Sequence, residues 1–224
     1  MKRNLPVVAL ALTAIASGLR AWPGGGDLLE LAPAPILAGE AWRLVTGHFV
    51  HFGTAHAVGD ILGFALWATV LEVRSRRTLI VCLAVSIPLV SSWILAALDE
   101  GESCRGLSGV ATALAVVLFA EASVLAWRAR SRWRLGAAGL AGACFVGKTL
   151  YETLGGTALL APDLGEGVGL LASAHAAGIL AGSVAFHWRR PPLPGEAHGE
   201  ATTLRASRPQ GARGRTGARH PAAG

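Results

Sequence analysis

The run Gly106-Leu107-Ser108-Gly109 places a serine beside two glycines, where a loop leads into a long apolar stretch. A serine at such a loop-to-helix junction exposes its hydroxyl and its backbone N–H together. The helix N-terminus adds unpaired N–H donors that favour an anion. This pattern fits a nucleophilic serine beside an oxyanion-binding amide. Taken alone, a serine with glycines in a membrane helix more often indicates close helix packing.

A histidine in another apolar stretch is the candidate base for Ser108. In His175-x-x-Gly178-x-x-x-Gly182 one helix face carries a histidine followed by two glycines. Small residues let two helices approach closely, so we expect a Ser108–His175 hydrogen bond of about 2.6–3.2 Å. A lone histidine is more often an ordinary packing residue. The hypothesis therefore depends on both motifs occurring together.

His56 and Asp60 lie four residues apart, one helical turn, in the apolar stretch 55–73. Ionisable residues inside membrane spans are costly and usually functional, so His56 and Asp60 are candidate site residues.

A metal site is the alternative chemistry, because imidazole and carboxylate groups suit zinc or iron. It would serve a transporter or a metalloenzyme, but it leaves the serine motif unused. We predict neither a metal nor another cofactor. The residues that would form the site are His48, His51, His56, Asp60 and His175.

The composition places these residues in a membrane. Of the 224 residues 52% are hydrophobic and 15% are charged, whereas soluble domains carry about 25% charged residues. Six apolar stretches approach the roughly 20 residues that a membrane-spanning helix needs. The first also fits a signal peptide. The stretches are 5–22, 55–73, 78–98, 107–127, 135–153 and 170–188.

Charge alternates between successive connections, which predicts the orientation of the helices. Arginine clusters follow the second and fourth stretches, and acidic residues fill the connections between them. Because Lys and Arg accumulate on the cytoplasmic side, both termini are expected in the cytoplasm and the acidic loops outside. The net charge of +6 therefore reflects topology, and we expect no nucleic-acid partner.

His175 and Asp60 precede the inner ends of their stretches, Trp188 and Val73, by equal numbers of residues. If Ser108 lies at the same depth in the membrane as His175 and Asp60, Glu121 lies at the inner boundary of the membrane. The candidate residues are thus expected at one level, in the outer half of the membrane.

Two segments flank or interrupt the predicted bundle. The connection 23–54 contains Trp42, Phe49 and Phe52, and aromatic residues favour the membrane interface. The tail 191–224 is rich in Gly, Pro, Ala and Arg without apolar periodicity, which is typical of disorder. We predict an all-α membrane domain over 1–190 with a long interfacial first loop, followed by a disordered, basic cytoplasmic tail.

In order and spacing, these motifs resemble the rhomboid intramembrane proteases over about residues 40–185. The resemblance implies a six-helix bundle, a Ser108–His175 dyad and oxyanion stabilisation from the second helix. By this resemblance His56, Asp60, Gly106 and Gly109 are the candidate oxyanion and supporting residues. Rhomboids usually carry asparagine where this chain has Asp60, and an ionised Asp60 only accepts hydrogen bonds and would repel an oxyanion. Two hypotheses follow: Asp60 is protonated and donates a hydrogen bond, or it orients His56. The residues that carry the resemblance are Glu40-Ala41-Trp42-Arg43, Phe49, His51, His56, Asp60, Glu72, Gly106-Leu107-Ser108-Gly109 and His175.

Within that family, Arg105-Gly106-Leu107-Ser108-Gly109 and the compact length resemble rhombosortases. This resemblance implies membrane-anchored substrates with a C-terminal tail made of a Gly-Gly region, a hydrophobic helix and a basic cluster. The alternatives are a general rhomboid that cuts a single transmembrane helix and an inactive, client-binding relative. The expected location is the cytoplasmic membrane, with the active site open to the outer, periplasmic side.

Overall fold

Apolar stretches form helices in this chain because a helix satisfies its own backbone hydrogen bonds without water. The computed structural model of the protein describes residues 5–155 and 173–188. The predicted tail, Lys2, Arg3 and the first residues of the predicted sixth span lie outside the described residues.

Every element in the described part of the chain is helical, which confirms the all-α fold class there. Four short elements occupy the connection between the first two long helices. The long helices are α1 (Val7–Arg20), α5 (Thr54–Arg74), α6 (Arg76–Ala97), α7 (Ser108–Arg128), α8 (Arg132–Gly155) and α9 (Ser173–Trp188). The short elements are α2 (Gly25–Leu29), α3 (Pro33–Leu37), α4 (Arg43–Thr46) and a 3-10 turn (Gly47–Phe49).

Three of the described helices, α5, α6 and α7, are long and apolar enough to cross a membrane. Helix α1 is apolar but has only 14 residues. Helix α8 has 24 residues, but its glycines and Lys148 make it less apolar. Of α9, 16 residues are described. The count of six spans and the interfacial position of the first loop therefore stay predictions.

Helices α5 and α7 run parallel and in register. Near one end, the backbone N–H of Ser108 lies 3.1 Å from Asp60 Oδ2. Near the other end, Arg74 Nη1 lies 4.0 Å from Glu121 Oε2. Asp60 and Ser108 thus share one level of the bundle, and Glu121 lies toward its opposite end.

Helix α9 packs between α6 and α7 through a face of small residues. Ala177, Ala181 and Ala185 are buried on this face. A Cβ atom on Gly182 would lie 2.6 Å from the carbonyl oxygen of Ala113. No side chain larger than hydrogen fits there, so α7 and α9 are in backbone contact.

Glu72, completely buried near the end of α5, fastens α1 to the bundle. Its carboxylate accepts hydrogen bonds from the backbone N–H groups of Ala9 at 2.8 Å and Val8 at 3.2 Å. Arg76 adds an ion pair at 2.8 Å. The first N–H groups of a helix lack partners within it, and Pro6 supplies no side-chain cap to α1. Glu72 provides the missing acceptor.

Candidate active site

Ser108 is the first residue of α7, so its backbone N–H has no partner within the helix. Gly106 turns the chain into the helix with φ at +134°, a conformation that favours glycine. Leu107 is buried and anchors the turn, whereas Ser108 is only partly buried. The N–H of Ser108 points at Asp60 Oδ2, 3.1 Å away.

Asp60 Oδ2 is surrounded by nitrogen atoms from three segments. His56 Nε2 lies 3.2 Å away and His51 Nε2 lies 3.5 Å away, in addition to the Ser108 amide. The two imidazoles meet edge to face, with ring centroids 5.5 Å apart. The structure therefore brings together His56, Asp60 and Ser108, and it adds His51, for which no catalytic or supporting role was predicted from the sequence.

Gly106 lies against this cluster so closely that a side chain is excluded. A Cβ atom there would lie 2.8 Å from Asp60 Oδ2 and 3.1 Å from His56 Cε1. Both the space and the positive φ therefore require glycine at this position.

His175 is buried near the start of α9. Its neighbour Ala174 presents a carbonyl oxygen 2.9 Å from where a Cβ on Gly109 would lie. A Cβ on Gly178 would lie 2.2 Å from the carbonyl oxygen of Gly109. Residues adjacent to Ser108 and His175 are thus in backbone contact, and the hydrogen bond between the two side chains stays a prediction.

The first loop is hydrogen-bonded to the segment that precedes Ser108. Leu31 and Cys104 form an isolated antiparallel bridge, with N···O distances of 3.1 and 2.9 Å. The N–H of Gly106 donates to the carbonyl of Gly47 at 3.1 Å. Arg105 forms ion pairs with Asp27 and Glu30 and stacks over Phe52. The first loop therefore helps to hold the turn at Gly106.

Arg43 holds the first loop together from inside. Its side chain is buried, and it donates to the carbonyls of Asp27 at 2.9 Å and Glu30 at 3.2 Å and to the carboxylate of Glu40 at 2.7 Å. The Trp42-Arg43 pair belongs to the motifs noted in the sequence, but nothing there indicated this role. An arginine in a short, non-periodic segment carries no signal about its partners.

His48, one of the metal ligands considered from the sequence, is buried and hydrogen-bonded to α6. Its Nε2 lies 2.8 Å from Ser91 Oγ, and Ser91 donates to the carbonyl of Leu44. Burial lowers the pKa of His48 from its usual 6.5 to about 4, against the opposite effect of the Gly106 and Ile87 carbonyls. His48 is therefore neutral at physiological pH. The polar Ser91 within an apolar span was the available signal.

Two other chemistries are not supported in the described part of the chain. No group of three or more His, Cys, Asp or Glu side chains there is arranged to hold a metal ion. Burial raises the pKa of Cys104 to about 12, and the nearby Asp60 and Glu30 charges add to this effect. Cys104 is thus a neutral thiol. It is not in the thiolate form that a cysteine nucleophile requires.

A family model described as a rhomboid domain matches residues 38–189, more than half of the chain. The chain belongs to the rhomboid family. No curated protein matches it. Rhomboids are generally serine intramembrane proteases that act on membrane proteins. Together with α5, α6 and α7, this membership makes the chain a multi-pass membrane protein. Ser108, His175 and the cluster around Asp60 all lie within the rhomboid domain.

Proposed function

We propose that this rhomboid is an intramembrane serine endopeptidase with Ser108 as nucleophile and His175 as general base. It cleaves peptide bonds in or next to transmembrane segments of its substrates. One observation carries the proposal: the Ser108 amide and the His56 imidazole converge on one oxygen atom beside the serine, Asp60 Oδ2, at 3.1 and 3.2 Å. Two such donors are what a tetrahedral oxyanion requires.

The reaction follows the usual course for a serine nucleophile. His175 accepts the Ser108 proton as the oxygen attacks the substrate carbonyl, and it returns that proton to the leaving amine. The acyl-enzyme is then hydrolysed by a water molecule, which His175 activates in the same way. The Ser108 N–H and His56 stabilise the oxyanion of both steps.

Among rhomboid substrates, we propose C-terminal sorting tails of the rhombosortase type. The support is the motif Arg105-Gly106-Leu107-Ser108-Gly109, whose arginine forms ion pairs with the first loop. A general rhomboid that cuts a single transmembrane helix is the alternative. The second alternative is a client-binding relative without activity. The observation that favours it is the acidic side chain of Asp60.

The test is cleavage of two membrane substrates by purified wild type, Ser108→Ala and His175→Ala. One substrate ends in a Gly-Gly region, a hydrophobic helix and a basic cluster, and the other is a general rhomboid substrate. We expect wild type to cut the first, and each variant to lose at least about 1,000-fold in rate.

Cutting of the general substrate alone would exclude the sorting-tail specificity. No cutting of either substrate by wild type would favour a client-binding protein. Equal rates for the three proteins would show that Ser108 and His175 are not catalytic.

A further inference from the structure

The point where the donors converge is occupied by the protein's own carboxylate. Asp60 Oδ2 accepts the Ser108 N–H at 3.1 Å, with His56 Nε2 at 3.2 Å and His51 Nε2 at 3.5 Å. All three contacts are made by the same oxygen. Oxyanion donors lie about 2.7–3.1 Å from the oxygen that they stabilise. Asp60 Oδ2 is therefore held in nearly the way that a reaction oxyanion would be.

We infer that Asp60 occupies the oxyanion hole of the resting enzyme and that a substrate carbonyl must displace it. This inference rests on the proposed function, because it takes Ser108 as the nucleophile. A backbone N–H has one hydrogen to donate, so the Ser108 amide cannot fully serve the carboxylate and the substrate at once. Asp60 is thus an internal competitor of the substrate.

The surroundings of Asp60 suit this role better than a role as donor. The Ser108 N–H can only donate, so Oδ2 acts as an acceptor toward it, and a protonated Nε2 of His56 or His51 would donate to the same oxygen. Gly106 allows the carboxylate to approach the turn before Ser108, since a Cβ there would lie only 2.8 Å from Oδ2.

The consequence for catalysis follows from charge. A carboxylate left in place would repel the negative charge that develops on the substrate oxygen. An asparagine of the same shape has no charge and offers two N–H donors. Replacing Asp60 by asparagine should therefore weaken the bond that occupies the Ser108 amide, because a neutral amide oxygen is a weaker acceptor than a carboxylate, and it should remove the repulsion.

The experiment measures how fast Ser108 reacts with a small fluorophosphonate in the purified full-length protein. In this step Ser108 Oγ attacks phosphorus, fluoride leaves, and His175 takes the serine proton. The phosphoryl oxygen must accept hydrogen bonds from the same donors that hold Asp60. We expect labelling of Asp60→Asn to be faster than that of wild type by about tenfold or more, as for release of a charge-assisted hydrogen bond.

Two further variants make the comparison specific. Asp60→Ala removes the occupant without supplying a new donor, and we expect it to be labelled faster than wild type but slower than Asp60→Asn. Glu121→Gln removes an acid of the same helical bundle, near Arg74 and far from Ser108, and its labelling rate should equal that of wild type. Ser108→Ala shows that the labelled residue is the serine.

The outcomes separate the inference from the function on which it rests. Labelled wild type with folded Asp60 variants that react no faster would overturn the inference and leave the protease proposal intact. Absence of Ser108-dependent labelling in every protein would overturn both. Unfolding of both Asp60 variants would also contradict the inference, because a residue needed for folding is not a displaceable occupant.

Discussion

At the scale of single residues, His48 is a buried polar side chain that joins the first loop to α6 near the Gly106 turn. It bonds Ser91 of α6 and adjoins Gly47, whose carbonyl accepts the Gly106 N–H. Because burial disfavours its charged form, the pKa of His48 falls from 6.5 to about 4. Between these two pH values His48 is therefore protonated in the unfolded chain and neutral in the folded protein.

This shift predicts a pH dependence of stability. As pH falls from about 6.5 to about 4, the unfolded state binds a proton at His48 and the folded state does not. Folding stability should decline over that window by at most about 1.4 kcal/mol per pH unit from this group. His48→Gln should flatten the pH profile of the unfolding midpoint. The exposed His187 is the matched control, and His187→Gln should leave the profile unchanged. Identical profiles for wild type and His48→Gln would contradict the assignment.

At the scale of elements, the seating of α9 against α7 sets where His175 lies relative to Ser108. A Cβ on Gly178 would lie 2.2 Å from the Gly109 carbonyl oxygen and 2.9 Å from Thr112 Cβ. Backbone cannot move aside as a flexible side chain does, so the two helices would have to separate. Displacement by a fraction of an ångström is enough to impair a catalytic pair.

Gly178→Ala should therefore destabilise the protein by about 1–3 kcal/mol and slow cleavage by about tenfold or more. The matched control is Gly136→Ala in α8, where a Cβ meets nothing within 4 Å. That variant should be as stable as wild type or slightly more stable, because alanine favours helix. Thermal unfolding and the cleavage assay give both quantities. If Gly178→Ala had the thermal stability and the cleavage rate of wild type, α7 and α9 would not be in such close backbone contact.

At the scale of the whole molecule, charge separates the two ends of the bundle. The turn between α5 and α6 and the turn between α7 and α8 are rich in arginine. The connection between α6 and α7, next to Ser108, carries Asp99, Glu100 and Glu102. Since arginine is retained on the cytoplasmic side, the Ser108 end should face outward.

Cysteine labelling tests this orientation in a variant whose three cysteines are replaced by alanine. We expect Glu100→Cys to react with a membrane-impermeant maleimide on intact cells, because residue 100 is exposed in the acidic connection. Ala129→Cys, exposed in the arginine-rich turn, should react only after permeabilisation. The variant without added cysteine gives the background. The reverse pattern would invert the proposed topology.

The sequence predicted those features that leave a periodic or local signature. Apolar stretches indicated the long helices, and helix spacing placed His56 beside Asp60 and both at the level of Ser108. The capping of α1 by Glu72, the bonds of Arg43 and the Leu31–Cys104 bridge were not predicted. These contacts join segments far apart in sequence, and single residues in irregular loops do not indicate which backbone groups they will meet.

The position of α9 between α6 and α7 also has a consequence for biosynthesis. Translation delivers the nucleophile well before the proposed base, with a delay on the order of several seconds at about 5–20 residues per second. Until α9 enters, Ser108 lacks the base that we propose for it. If His175 is the base, as proposed, we expect the growing chain to be inert toward other nascent membrane proteins at the insertion machinery and to become active only once His175 is in place.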